Sequence, residues 1–179
     1  MLRTHHLGAV IVLLSAFTWG QSQAAAPAAH PCEHDPAYHK LDFWVGSWDV
    51  FDSHDGTKGG TNRIEKILDG CAIVENWHEL DPQGSDGKSL FYYQKATKQW
   101  KQVWVTAMGP MKEKRLTEEL TGGAIRFQGE IPHLDGGSHL DRTTLTPVSK
   151  DRVRQVIEIS PDSGKTWQVT FDAEYRRTN

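Results

Sequence analysis

The stretch LDFWVGSWDV, residues 41–50, sets Phe43, Trp44 and Trp48 around a single glycine, and Phe51 follows directly. The run then breaks into Ser-His-Asp-Gly at 53–56, a turn signal in which short polar side chains bond their own backbone. Gly46-Ser47-Trp48 is a G-x-W at the entrance to a first strand. Before it, DPAYHKLDFW predicts one or two turns of helix starting near Asp35 and Pro36, since proline suits a first helical position.

Beyond this stretch the chain reads as strands and turns throughout. Turn signals recur at 68–70 (LDG), 81–87 (DPQGSDG), 108–110 (MGP), 121–123 (TGG), 133–137 (HLDGG) and 160–164 (SPDSG). That rhythm predicts an all-β sandwich or barrel. TWQVTFDAEYR alternates most clearly, with Trp167, Val169, Phe171, Ala173 and Tyr175 on one face and polar residues on the other. SPDSGKTW matches the Asp-box hairpin turn, in which Asp162 bonds the turn backbone and Gly164 supplies a left-handed position. One box in a chain this short is a stable hairpin, not a propeller.

Residues 1–26 read as a secretory signal. Arg3, His5 and His6 precede an apolar run from Leu7 to Phe17, and Ala24 and Ala26 suit a signal peptidase. The run is too short to span a bilayer. Residues 27–179 are the size of a single domain with one core. With 20 basic and 23 acidic residues and no basic stripe, nucleic acid is a poor partner. No second apolar segment approaches membrane length, so no membrane contact is expected after signal removal. Cys32 and Cys71 in an exported chain are expected to form a disulfide.

Taken together, LDFWVGSWDV, LDGCAIVENW, YYQKATKQWKQVWV, DRTTLTPVSKDRVRQVIEIS and FDAEYRR resemble a family of exported bacterial lipocalin-like (calycin-type) domains. Its pattern runs F-W-x-G-x-W, G-C-x-I-x-E-x-W, W-x-Q-x-W-V and R-Q-x-x-E-x-S, and the likeness covers residues 32–177. It implies an antiparallel lipocalin-like β-barrel of about eight to ten strands with a short N-terminal helix. It also implies that Gly46 swings the chain into the first strand and that Trp48 plugs the closed end. A terminal arginine covers that ring in such barrels. Arg176 and Arg177 stand where it is expected, with Arg176 assigned the role. The sequence departs from the family pattern at Ala173, where glycine is expected.

In such a barrel, alternation decides what lines the interior. Cys71, Ile73, Glu75 and Trp77 share one face; Trp100, Gln102, Trp104 and Thr106 share another; Leu140, Arg142, Thr144 and Thr146 a third; Val153, Gln155, Ile157 and Ile159 a fourth. Rings mixed with single polar groups are how small-molecule pockets are lined. Glu75, Gln102, Arg142 and Gln155 are expected to orient a ligand among Trp77, Tyr93 and Trp104. The alternative is that they satisfy one another, Glu75 with Arg142, and seal a ligand-free barrel.

The nine histidines are scattered or near the amino terminus, and no cofactor or metal site is expected. Neither G-x-S-x-G nor a P-loop occurs. The expected protein is a periplasmic or secreted barrel that binds a small, partly apolar or aromatic molecule inside. Two alternatives stay open: an enzyme (isomerase, cyclase or hydrolase) using a carboxylate in the barrel, and an interaction domain, conceivably a homodimer.

Overall fold

The computed structural model describes residues 30–178, so the signal-like segment lies outside the described residues. Ten antiparallel strands follow one another round a closed barrel. They are β1 (Gly46–Asp52), β2 (Lys58–Ile67), β3 (Ala72–Glu79), β4 (Gly87–Gln94) and β5 (Gln99–Thr106), then β6 (Lys112–Glu119), β7 (Ile125–Pro132), β8 (Ser138–Ser149), β9 (Arg152–Ser160) and β10 (Gln168–Arg177). Each pairs with its sequence neighbours, and β1 closes the circle on β10 with Trp48 opposite Arg177 and Val50 opposite Tyr175. Closure leaves no strand edge unpaired.

The amino-terminal segment folds as a lid over one end. A four-residue helix, α1 (Pro31–His34), is followed by 3-10 turns at Pro36–His39 and Asp42–Trp44. Asp35 caps the first of these turns, its side chain accepting from Ala37 N at 3.0 Å. The helix predicted from Asp35 is thus two short 3-10 turns, with α1 lying ahead of it. Cys32 and Cys71 are joined, tying α1 to the start of β3 across 39 positions of chain. In the chain-entropy model such a link contributes about 4 kcal/mol.

Under this lid the barrel is solid. Leu41, Trp44, Trp48, Phe91, Trp100, Phe127 and Tyr175 form one fully buried cluster. Trp48 Nε1 donates to Trp44 O at 2.9 Å, and Trp100 Nε1 donates to Ala37 O at 2.8 Å. Burying Trp48 stabilises the fold by about 2–3 kcal/mol. Gly46 has φ +143°, and a Cβ there would collide with the Arg177 guanidinium. Ala173 is buried within the same cluster.

The arginine over Trp48 is Arg177, 4.1 Å from the ring centroid, and its Nη1 donates to Val45 O at 2.9 Å. Arg176, assigned that role from the sequence, points the other way and lies over Phe51 on the outside. Adjacent strand residues face opposite sides, so only one of the pair can reach the plug.

Two other faces differ from expectation. A register shift between Val169 and Phe171 turns Val169 outward while Phe171, Ala173 and Tyr175 stay inward. In β8 the inward set is Asp141, Thr143 and Leu145. The predicted set, with Arg142, is on the other side. Arg142 forms a two-bond pair with Glu158 (2.7 and 2.8 Å) and lies over Trp167 at 3.8 Å. The β8 segment alternates polar with polar, so periodicity gives no preference for one face.

The Asp-box turn forms as read. Asp162 accepts from Thr166 N, Thr166 Oγ1 and Ser160 Oγ at 2.9, 2.7 and 2.8 Å. These bonds, with the Thr166 backbone first, pull its carboxyl down to about 2.

Candidate functional site

The end opposite the lid is hollow. A cavity of about 410 Å³ opens between the β3–β4 and β5–β6 loops, within the usual size range of small-molecule sites. Its upper walls are Trp77, Trp104, Ile157 and Phe171; its floor is Glu75, Gln102, Lys114, Thr143, Gln155 and Tyr175.

Two glycines keep the walls back. A Cβ on Gly60 would run into the Trp77 ring, and one on Gly87 into the Trp104 ring. Each indole therefore lies flat over the bare backbone of the preceding strand, β2 for Trp77 and β4 for Trp104. Phe171 meets Trp77 edge-on, with centroids 6.3 Å apart and planes at 90°. The rings line the lumen without crossing it.

The floor is a belt of polar side chains, one from almost every strand. Asn62 Nδ2 donates to Glu75 Oε1 at 2.8 Å and reaches Tyr175 OH at 3.4 Å. Tyr175 OH donates to Gln155 Oε1 at 2.5 Å. Gln102 Nε2 donates to Ser89 Oγ at 3.1 Å. Gln102 Oε1 and Asn62 Oδ1 are buried without a partner. Burial pushes the Glu75 carboxyl above its usual range, against the opposing pull of hydrogen bonds from Ser89 and Asn62 and the charge of Lys114. Burial, followed by the Glu75 charge, also pushes the Tyr175 hydroxyl well up.

The β6–β8 side carries the charge. Lys114 Nζ donates to Thr143 Oγ1 at 2.6 Å and pairs with Asp141, whose other oxygen accepts from Lys112 Nζ at 2.7 Å. Burial lowers the Lys114 ammonium to about 8, with Asp141 opposing that fall. It therefore stays protonated at neutral pH. Asp141 is fully buried and held below the usual carboxylate range, its desolvation outweighed by the two lysines.

Of the residues expected to meet a ligand, Glu75, Trp77, Gln102, Trp104 and Gln155 come together around this one cavity. Two do not. Tyr93 faces inward but at the closed end, packed edge-on against Tyr38 and tilted against Trp100 with centroids 5.2 and 6.1 Å away. It stands six positions along β4 from Gly87, too far down the barrel to reach the mouth. Arg142 is outside, as described, so the expected Glu75–Arg142 pair does not form. The inward cations are Lys112 and Lys114, which the sequence reading missed. KEKRLTEE reads as a solvated strand, yet its alternation already sets Lys112, Lys114 and Leu116 on one face. The chain matches no family model and no curated protein.

Proposed function

We propose that this protein is an exported barrel that binds one small, partly aromatic molecule in its open end. The observation that carries the reading is the cavity itself: two indoles held back on glycines, with Phe171 beside them, around a space of about 410 Å³ above an incompletely satisfied polar floor. A barrel serving as an inert interaction scaffold gains nothing from an open, ring-lined end, since filling it with side chains would add stability. The signal-like residues 1–26 and the Cys32–Cys71 bond support export. Among the described residues no helix is long and apolar enough to cross a membrane.

Native mass spectrometry of protein purified from its own host tests the reading. The expected result is a single small-molecule adduct that a Trp77→Ala/Trp104→Ala variant loses while still unfolding cooperatively. A bare wild-type mass, with no thermal shift from a panel of indole and naphthalene derivatives, ends it. A second reading, catalysis with Glu75 carrying a proton, is favoured by the raised carboxyl in the floor. Under it, Glu75→Gln retains a guest that differs from the wild type's in mass for a hydrolase, or in fragmentation or chromatographic retention at equal mass for an isomerase or cyclase: substrate in the variant, product in the parent.

A further inference from the structure

The charged wall of the cavity has a sidedness that the binding reading leaves unused. Lys112 and Lys114 both line the space, whereas Asp141, which pairs with both, does not. The carboxylate stands behind the two ammonium groups, so a guest on that wall meets cations only. Two positive charges share one negative partner, which leaves a surplus of one. Lys114 has three donors and spends two, on Asp141 and Thr143.

The other lining carboxylates do not cancel this surplus. Glu79, at the mouth, is turned back on its own loop, its Oε1 accepting from Leu80 N and Asp81 N at 3.0 and 3.1 Å. Glu75 is bonded to Asn62, and burial raises its carboxyl against the opposing charge of Lys114, which favours the form that sets no charge against the lysines.

The unpartnered amide oxygen points to the same chemistry. Gln102 pairs in register with Lys114 across β5 and β6, so their side chains stand side by side on the floor. As placed, Gln102 Oε1 is buried with nothing to accept from, on a residue that lines the cavity. Turning the amide end for end places the Nε2 donor at that point, and Oε1 then accepts from the Ser89 hydroxyl once a protonated Glu75 donates to Ser89 Oγ in its turn. An acceptor carrying one negative charge would then satisfy the lysine, the amide and the charge surplus together.

Resting on the binding reading above, we propose that the natural guest is a flat organic carboxylate. Its acid group sits on Lys112, Lys114 and Gln102, and its ring system lies between Trp77, Trp104 and Phe171. A carboxylate bears the single charge the wall lacks, and its two oxygens can bridge adjacent donors. The guest enters with its apolar body toward the mouth and its acid toward β6.

Three probes of one shape test this: 2-naphthoate, 2-naphthamide and 2-naphthylmethylammonium, titrated by calorimetry at neutral pH and low salt. The naphthoate is expected to bind about tenfold or more tighter than the amide, and the ammonium most weakly. The naphthoate's advantage is expected to shrink with added salt. Lys112→Met, at a half-exposed position that leaves Lys114 to neutralise Asp141, is expected to remove most of it while amide affinity stays put. Lys114→Met/Asp141→Asn, which removes a buried charge with its partner and leaves Lys112 as the surplus cation, is expected to keep most of that advantage in a folded protein. Equal affinity for the three probes overturns the carboxylate while leaving a binding barrel in place. Preference for naphthoate that persists undiminished in Lys112→Met, or that vanishes in the double variant while Lys112 is intact, overturns the assignment to this wall. Failure of all three to bind removes the proposal together with the binding reading.

Discussion

The two ends of this barrel use the same aromatic residue to opposite effect. At the lidded end Trp44, Trp48 and Trp100 fill the axis, and the indole N–H groups of Trp48 and Trp100 are spent on main-chain carbonyls of the lid. At the open end Trp77 and Trp104 lie against the wall, each over a glycine, and the axis stays free. What separates plug from lining is not the ring but its neighbours. A covering segment that supplies apolar mass and carbonyl acceptors draws an indole inward; a missing side chain on the adjacent strand lets it lie flat. One end can therefore hold the fold together while the other keeps space for a guest.

The largest effect that follows is at the plug. Trp48→Ala removes a fully buried ring, its hydrogen bond and the surface that Arg177 covers. The expected loss is about 3–5 kcal/mol in denaturant unfolding, on the scale of large aromatic truncations in cores. Trp104→Ala at the half-exposed wall is expected to cost clearly less. Equal losses at both positions would erase the distinction between the two ends.

A smaller effect comes from converting lining into plug. Gly87→Val places a branched side chain where the Trp104 ring now lies, so the indole must swing toward the axis. Overpacking of this kind costs about 1–3 kcal/mol. The variant is expected to remain folded and to lose affinity for any aromatic probe, read by calorimetry beside a thermal melt. Retained affinity would show that the ring's position against the wall is not what keeps the cavity open.

The same contrast explains what was legible in the sequence. The closed end was: G-x-W, the aromatic density around it and the Cys32–Cys71 pair each point to one arrangement, and turn signals mark out the strands. The ring-and-polar faces of β3, β5 and β9 were legible too, because Ile73 and Trp77, Trp100 and Trp104, and Val153 and Ile157 recur on one face of each strand and mark the inner side. The β6–β8 wall was not. KEKRLTEE and LDRTTLT carry charge on both faces, so alternation shows only that residues two apart belong together. Which side turns inward is decided by a partner on another strand. Asp141 finds two lysines inside, and Arg142 finds Glu158 and Trp167 outside. Arg142 was expected inside as the counter-ion Glu75 needs, but Glu75 is served by Asn62 and by burial itself, which lessens its need for a charge. Choosing Arg176 over Arg177 missed by one residue although the right one was legible, since alternation from Phe171, Ala173 and Tyr175 sets Arg177 on their face.

The smallest effect concerns that carboxyl, and it separates the two ends by pH. No carboxylate is part of the aromatic plug, whereas the open end has Glu75 in its floor. Burial raises the folded-state value of Glu75 above the ordinary 4.5, so over the window just above 4.5 the folded chain holds a proton that the unfolded chain has released. Stability contributed by the protonated form is therefore complete below 4.5 and is lost as pH climbs through the folded-state value. Glu75→Gln keeps an oxygen for Asn62 Nδ2 and has no charge to desolvate. Urea unfolding of the two proteins should give their smallest difference at acid pH and a widening advantage for the variant toward neutrality. Lys114 does not mimic this trend, because its lowered value near 8 makes stability rise only at more alkaline pH. A difference that stays flat between pH 4.5 and neutrality would mean that Glu75 titrates as a solvated carboxylate, and the floor would then be wet and open instead of a sealed polar belt.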